Sequence, residues 1–383
     1  MRWIPRELGP ELIKAARHFP ALVVSGPRRA GKTLLLQKTF PAASYHLLED
    51  PDVIGRIKAD PRGWLDEVKT PAILDEIQNV PQILPYIRSR ADRAQRRKGQ
   101  WLLTGSQDFT LMKGVTESMA GRAAVFQLLP FSLSEIGSWK LTRGMFPEAI
   151  ANPSQRSVWF RSYVQTYLER DVRSLLAVRD LSTFRRFLSL VASRSGQVLN
   201  KTDLSAPLGV SVPTVTQWLS ILETTGQILL IPPYFENFGK RIIKAPKLHW
   251  VDTGLLCYLL GIQDEPSLAR STFVGAVFES FVASEIVKRQ INRGKRRELY
   301  YFRDQQGLET DFLFPDKDSL VLAEVKWTKT VTTGLASSME KLARAIRGRK
   351  IRSVLVHRGS DRQPILRAFM PGIEAMPVEK FLT

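Results

Sequence analysis

The sequence reads Gly26-Pro27-Arg28-Arg29-Ala30-Gly31-Lys32-Thr33 near its amino end, which fits the Walker A pattern Gly-x4-Gly-Lys-Thr. An apolar run with β-branched residues at 21–25 precedes it and predicts a buried strand, and a helical pattern begins at 34–38. A strand, a glycine loop and a helix in this order present main-chain N–H groups and a helix N-terminus to a phosphate. The stretch therefore predicts a nucleoside triphosphate site, with ATP as the expected ligand. The alternative is an ordinary glycine turn.

A second motif favours the nucleotide site over an accidental match. Residues 71–74 are apolar and end in Asp75 and Glu76, as a Walker B strand does. We expect Lys32 to reach the β- and γ-phosphates, and Thr33 and Asp75 to hold Mg²⁺. Glu76 is then the residue that orients and polarises the attacking water.

Strand and helix patterns alternate around these motifs. Strand patterns follow at 44–48, 100–106 and 125–129, and residues 53–68 have the apolar spacing of one helix. Such alternation predicts a parallel sheet with helices on both faces. We predict an α/β chain of three domains. They are a P-loop NTPase domain with an AAA+/RecA-like parallel sheet at 1–140, a helical lid and winged-helix domain at 141–265, and an α/β domain at 266–383.

The composition is that of a globular chain with excess positive charge. Hydrophobic residues make up 44% and charged residues 24%, which is typical of folded proteins. There are 56 Lys and Arg against 37 Asp and Glu, a formal net charge of +19. This excess favours a polyanionic partner, and we expect DNA rather than a membrane surface because no amphipathic anchor is evident. A single cysteine, with no signal peptide or membrane-spanning run, predicts a cytoplasmic protein.

The middle of the chain has the pattern of a helix-turn-helix. Gly209 suits the turn, and Ser211 suits the N-cap of a second helix over 212–224. Strand patterns at 228–231 and 247–250 predict the two strands of a wing. The alternative to DNA contact is a winged helix that only packs within the protein. The expected DNA contacts are Thr214, Thr216 and Gln217 on the second helix and Lys240, Arg241 and Lys244 at a basic wing tip.

Polar residues interrupt the apolar strand patterns of the carboxyl-terminal third. Asp311 begins one strand, and Glu324 and Lys326 lie two apart on one face of the next. Two carboxylates at converging strand ends can hold a divalent cation, with Glu279 of a preceding helix as a further oxygen ligand. Lys326 beside them can help activate water for phosphodiester attack. The alternative is a salt-bridged strand end without nuclease chemistry.

Several motifs together resemble one known family, the prokaryotic AAA+-type ATPases that carry a carboxyl-terminal domain of unknown function 4143. The resemblance covers nearly the whole chain. It implies that Ser106 is the γ-phosphate sensor and that Arg122 is a trans-acting or sensing arginine; a structural cap is the alternative role for Arg122. The matching stretches are Gly-Pro-Arg-Arg-Ala-Gly-Lys-Thr at 26–33, Leu-Asp-Glu-Ile-Gln at 74–78, Leu-Thr-Gly-Ser-Gln at 103–107, Met-Ala-Gly-Arg at 119–122 and Leu-Leu-Pro-Phe-Ser at 128–132.

The resemblance also bears on the last domain and on assembly. The order Glu279, Asp311, Glu324, Lys326 is similar to that of the PD-(D/E)XK nuclease core, a restriction-endonuclease-like fold. A homo-oligomer is implied, because motor work of this kind needs neighbouring subunits. Two functions stay open at this point: a DNA-associated ATPase with a Mg²⁺-dependent nuclease domain, or an ATP-dependent regulatory switch whose carboxyl-terminal domain is a non-catalytic binding platform.

Overall fold

The chain divides into two compact units, which are described separately. The first contains Met1–Phe131 with the short segments Thr224–Gly226 and Gln290–Arg296. The second contains Ser132–Glu223, Gln227–Arg289 and Arg297–Thr383. The computed structural model describes residues 3–93, 97–105, 119–168, 181–234, 244–346, 348–359 and 366–382.

The first unit is built on a five-stranded sheet in which every neighbouring pair is parallel. Its strands are β1 (Ala21–Ser25), β2 (Ser44–Leu47), β3 (Ala72–Asp75), β4 (Trp101–Thr104) and β5 (Ala123–Gln127). They lie in the order β2-β3-β4-β1-β5. The three central strands are buried along their whole length because helices cover both faces, which confirms the parallel sheet predicted from the sequence.

Two apolar layers form the core of this unit. Alternate residues of β1 point to opposite faces, so Val23 packs with Leu74 and Leu103 while Leu22 packs with Leu35 and Leu102. The covering helices are α1 (Gly9–Ala16), α2 (Lys32–Thr39), α3 (Pro51–Ala59), α4 (Pro61–Glu67) and α5 (Leu84–Arg93).

Two element boundaries in this unit differ from the sequence prediction. The single helix expected at 53–68 is two helices, because Asp60 leaves the helical region and its side chain accepts hydrogen bonds from the N–H groups of Arg62 and Gly63. The strand expected at 125–129 begins and ends two residues earlier. The apolar run misled the prediction because Leu128 and Leu129 are buried beyond the end of the strand.

The second unit begins with short helices and a two-stranded antiparallel hairpin. The hairpin strands are β6 (Ile228–Ile231) and β7 (Lys247–Trp250), in the positions predicted for a wing. Of the predicted helix pair, the first ends in a 3-10 turn at Ala206–Leu208, and Gly209 has φ +67° at the turn. The helices are α6 (Leu133–Ile136), α7 (Pro147–Ala151), α8 (Arg156–Tyr163), α9 (Leu181–Ser193), α10 (Lys201–Ser205), α11 (Val212–Thr224), α12 (Thr253–Leu259) and α13 (Glu265–Arg270).

A six-stranded mixed sheet completes the second unit. Its elements are α14 (Val274–Asn292), β8 (Tyr300–Arg303), β9 (Glu309–Asp316), β10 (Ser319–Lys326), α15 (Ser337–Ala345), β11 (Lys350–His357), β12 (Leu366–Met370), β13 (Ile373–Pro377) and α16 (Val378–Leu382). The strand order is β12-β13-β11-β10-β9-β8, with β10 parallel to β11 and antiparallel to β9. The last two strands and the last helix were not predicted. Of the helices that the structure describes, none is both long and apolar enough to span a bilayer.

Candidate functional site

The glycine loop joins the carboxyl end of β1 to the N-terminus of α2. Gly26 has φ +143°, and a Cβ built there would overlap the main-chain oxygen of Leu128. Gly31 has φ +93° as the residue before the first turn of α2. Glycine is required at the first position for both space and φ, and at the second for φ. The two glycines thus let the main chain wrap in front of the helix N-terminus, where a phosphate is favoured.

An arginine that the sequence analysis did not single out holds this loop. Arg6 Nη1 donates to the oxygen of Ala30 at 2.8 Å, and Nη2 donates to the oxygen of Leu129 at 2.7 Å. Its guanidinium lies 4.6 Å from the ring centre of Phe131, and only 5% of Arg6 is exposed. Arg6 therefore ties the glycine loop to the segment after β5. Because Arg6 belongs to no motif, its sequence context carried no signal for this role.

Lys32 is buried at the start of α2 and folds back over the loop. Its Nζ donates to the oxygens of Gly26 and Pro27, at 3.1 and 2.9 Å. Phosphate oxygens are stronger acceptors for an ammonium group than these neutral carbonyls. The side chain thus lies where a bound phosphate can attract it.

Asp75, at the carboxyl end of β3, accepts hydrogen bonds from three hydroxyl groups. Thr33 Oγ1 donates to Oδ2 at 2.8 Å, and Tyr45 Oη donates to the same oxygen at 2.9 Å. The hydroxyl of Thr104 donates to Oδ1. The structure therefore brings together Thr33 and Asp75, the two residues expected to hold Mg²⁺, on neighbouring elements. Burial, and then the hydrogen bond to Asp75, raises the pKa of Tyr45.

Sequence reasoning missed both Tyr45 and Thr104 as partners of Asp75. Thr104 had a signal, since it is the polar residue that ends the buried strand β4. Tyr45 lies on β2, where its neighbour in register is Ile73. Only the pairing of β2 with β3 shows that its hydroxyl can reach the carboxylate.

The main chain is strained on both sides of the site. Among the described residues, three non-glycine residues have positive φ, and two of them are Arg29 at 62° and Glu76 at 59°. Such conformations cost on the order of 1–3 kcal/mol each and tend to occur at functional positions. The Glu76 carboxylate accepts a hydrogen bond from Gln78 and lies 4.0 Å from Arg28 Nη1.

The two positions that the resemblance assigned to phosphate sensing have different outcomes. Ser106 lies outside the described residues. Arg122 Nε donates to Asp92 Oδ1 at 2.9 Å, and Nη1 donates to the oxygen of Ala120 at 2.9 Å. The first of these hydrogen bonds lowers the pKa of Asp92. This arrangement agrees with the capping alternative, and the sensing role of Arg122 stays a prediction.

The residues expected to contact DNA are described only in part, since Lys240 and Arg241 lie outside the described residues. Thr216 Oγ1 donates to the oxygen of Val212, and the Thr214 hydroxyl lies 2.9 Å from that of Ser211. Both hydroxyls are therefore hydrogen-bonded within α11 or to Ser211, the residue before it. Gln217 and Lys244 are exposed.

In the second unit two of the predicted carboxylates, Glu279 and Asp311, meet around Lys247. Neither Lys247 nor Glu309, which joins them, was predicted as a site residue. Lys247 Nζ lies 2.8 Å from Glu309 Oε1, 2.9 Å from Glu279 Oε1 and 3.4 Å from Asp311 Oδ1. Only 3% of Lys247 is exposed. Burial alone would lower its pKa, but the carboxylates of Glu279, Asp311 and Glu309 raise it well above its ordinary value, so the side chain is an ammonium ion.

The Glu-x-Lys pair lies on the other side of the same cluster. Lys326 Nζ is 2.6 Å from Glu324 Oε1 and 3.6 Å from Asp311 Oδ2, which also accepts from the N–H of Val325 at 2.9 Å. Burial raises the pKa of Glu324 to about 8 and that of Glu279 to about 7. The pKa of Asp311 is instead lowered, because Lys247 and Lys326 outweigh the effect of burial.

The carboxylates of this cluster do not fit a divalent cation. Glu279, Asp311 and Glu324 lie together, as the sequence predicted, and Lys326 is beside them. However, the searched part of the chain contains no group of three or more His, Cys, Asp or Glu side chains disposed to hold a metal ion. Glu279 Oε1 and Asp311 Oδ1 face the Lys247 ammonium, and Asp311 Oδ2 lies 3.6 Å from Lys326 Nζ.

Three family models match the chain in sequence. An AAA domain matches residues 18–137, a domain of unknown function (8612) matches 140–266, and the domain of unknown function 4143 matches 274–381.

Comparison with known proteins finds relatives over the full length. The uncharacterised proteins Rv2008c of Mycobacterium tuberculosis and Mb2031c of Mycobacterium bovis are each 30% identical over 389 residues, covering 99% of this chain and 84% of theirs. The Walker-type ATPase paby2304 of Pyrococcus abyssi is 14% identical over 66% of this chain and 94% of its own, with a TM-score of 0.37. The chain therefore belongs to the family of prokaryotic P-loop ATPases that join an AAA domain to a carboxyl-terminal domain of unknown function 4143.

Proposed function

We propose that the protein couples ATP binding and hydrolysis to the binding or remodelling of DNA. The observation that carries the ATPase half is the contact of 2.8 Å between Thr33 Oγ1 and Asp75 Oδ2, beside the glycine loop and Lys32. Ligands of open α/β sheets bind outside the carboxyl ends of the strands, where β1, β3 and β4 place these residues.

Mg²⁺ fits this site. The Thr33 hydroxyl and the Asp75 carboxylate are the hard oxygen ligands that the ion takes in nucleotide sites, together with phosphate oxygens and water. When bound, Mg²⁺ neutralises charge that develops on the β- and γ-phosphates. The residues that would hold the ion are Thr33, through its hydroxyl oxygen, and Asp75, through its carboxylate, which accepts from the Thr33 hydroxyl in this structure.

The protein's own groups supply binding and orientation. Lys32 exchanges the oxygens of Gly26 and Pro27 for phosphate oxygens, and the N–H groups of the loop bind the same phosphates. Glu76 accepts a proton of the attacking water and aligns the water for in-line attack. Gln78 and Arg28 contact the Glu76 carboxylate and so act as positioning residues for it.

Net charge and the helix pair of the second unit support the DNA half of the proposal. The net charge of +19 favours a polyanion. The α10–α11 pair and the hairpin have the element order of a winged helix, in which the second helix enters the major groove. Gln217 and Lys244 are exposed and of suitable chemistry, one for a base edge or phosphate and the other for phosphate.

The test is steady-state ATP hydrolysis with and without duplex, forked and single-stranded DNA. We expect DNA to stimulate hydrolysis several-fold, and Lys32→Ala to abolish it with or without DNA. Gln217→Ala combined with Lys244→Ala should weaken DNA binding and flatten its dependence on salt by about one unit per lost phosphate contact. Lys341→Ala, an exposed lysine of α15, is the matched control and should change neither. Hydrolysis that is indifferent to every DNA would refute the coupling.

We also propose that the protein works as a homo-oligomer. Arg122 is partly exposed, with 38% of its side chain accessible beside Asp92, so a neighbouring subunit can approach it. Mass measurement by light scattering with and without a non-hydrolysable ATP analogue tests this. A monomer under both conditions would contradict the proposal.

A second candidate is an ATP-dependent regulatory switch, and one observation favours it. The ammonium of Lys247 among the carboxylates of the second unit agrees with a carboxyl-terminal domain that binds rather than cuts. In that case ATP changes conformation or assembly, turnover is slow and DNA has no effect on it. Nicking of plasmid DNA that needs Mg²⁺ or Mn²⁺ and disappears in Glu324→Ala would instead support the nuclease.

A further inference from the structure

The acidic cluster of the second unit already contains positive charge at its centre. Four carboxyl groups, of Glu279, Glu309, Asp311 and Glu324, surround the ammonium groups of Lys247 and Lys326. Lys326 was expected there, because it follows Glu324 by two residues on the same strand. Lys247 is different, since it comes from β7 in the hairpin, far away in sequence.

The position of Lys247 is more consistent with a structural cation than with a surface ion pair. Its side chain is 97% buried, and Nζ has three carboxylate oxygens within 3.4 Å, from α14 and from two positions of β9. A lysine ammonium has three N–H donors, and three carboxylates satisfy them. A divalent cation shared by Glu279 and Asp311 would compete with the Lys247 ammonium for Oε1 and Oδ1. The other oxygen of Asp311, Oδ2, already accepts from the N–H of Val325 and lies 3.6 Å from Lys326 Nζ.

We propose that the Lys247 ammonium takes the place of a divalent cation in this cluster, so that the carboxyl-terminal domain binds no catalytic metal. The position of the Lys247 ammonium also has a structural consequence. The amino end of β7 is fastened to α14 and β9 by the same three contacts, so the hairpin and the mixed sheet share one buried charge cluster. This inference does not depend on the ATP site.

The test counts Mn²⁺ bound per chain by electron paramagnetic resonance, without nucleotide, in matched variants. We expect the wild type and Glu324→Gln to bind the same number of ions. Lys247→Met, which keeps the apolar length of the side chain and removes its charge, should gain about one ion per chain, and Lys247→Met with Glu324→Gln should lose it again. Lys247→Arg keeps the positive charge and should gain none.

A second readout follows folding. Removing the ammonium leaves buried carboxylates without a counter-charge, so Lys247→Met should melt at a lower temperature than the wild type. Mn²⁺ should then raise the melting temperature of Lys247→Met by more than that of the wild type, since a ligand stabilises the state that binds it.

Two results would overturn the proposal. One is an ion bound by the wild type and lost in Glu324→Gln, a comparison that needs no change at Lys247. The other is a folded Lys247→Met protein, shown by its circular dichroism, that gains no ion. If Lys247→Met does not fold, the comparison of the wild type with Glu324→Gln decides the question by itself.

Discussion

Replacing Arg6 by alanine should destabilise the first unit, and the size of the effect can be worked from two hydrogen bonds. Both carbonyl acceptors, on Ala30 and Leu129, are buried, and Arg6→Ala would leave each without its donor. An unsatisfied buried acceptor costs about 1–3 kcal/mol, so the pair costs about 4 kcal/mol. The contact with the Phe131 ring adds to this loss. At roughly 2–4 °C per kcal/mol for a domain of this size, the melting temperature should fall by about 10 °C.

The assay is thermal unfolding followed by circular dichroism, with ATP binding measured on the same samples. Arg56→Ala is the matched control, because Arg56 Nη2 pairs with Glu67 at 2.7 Å with both side chains more than half exposed. Exposed pairs of this kind contribute about 0–1 kcal/mol, so the control should melt within about 4 °C of the wild type. Arg6→Ala should also bind ATP more weakly, since the glycine loop loses the hydrogen bonds that link it to the segment after β5. Arg6→Ala that melts with the control and binds ATP normally would refute the role of Arg6.

Three further predictions concern other parts of the chain. Gly26→Ala should abolish ATP binding in an equilibrium titration, because its Cβ overlaps the Leu128 oxygen; binding like that of the wild type would show that the loop can move. Tyr45→Phe removes one hydroxyl that donates to Asp75 and competes with Mg²⁺ for it. The Mg²⁺ concentration that gives half-maximal hydrolysis should therefore fall about five-fold, for about 1 kcal/mol. A rise in that concentration would show that Tyr45 supports the Mg²⁺ site. Burial, and then the charge of Lys247, lowers the pKa of His249 to about 3. Between pH 6.5 and pH 3 the unfolded chain therefore binds a proton at His249 that the folded chain does not bind. Stability in urea should therefore fall as pH drops from 6.5 towards 3, by at most about 1.4 kcal/mol per pH unit from this group, and His249→Phe should remove that part of the slope.

Local patterns were enough to predict the ATP site and most of the elements around it. The glycine loop, Lys32, Thr33 and the Asp75-Glu76 pair are contiguous in short motifs, so the strand-loop-helix context could be recognised without any long-range information. The hairpin strands at 228–231 and 247–250 were also predicted, the first from a continuous apolar run. The same reasoning failed at Asp60. The apolar spacing of a helix continues through residues 53–68, but the main chain leaves the helical conformation at Asp60 and forms two helices.

The contacts that complete each site depend on strands and segments that are far apart in the sequence. Arg6 meets Leu129 across 123 positions, and Lys247 meets Asp311 across 64. No periodicity or spacing can predict such pairs, because they arise from the register of the sheets and from which elements pack together. The sequence alone therefore determined that the chain has a nucleotide loop and a group of carboxylates near its carboxyl end. Only the tertiary structure decided that Arg6 holds the loop and that Lys247 lies among those carboxylates. The reason is that a buried charged group needs partners, and the packing of distant elements determines which ones are near.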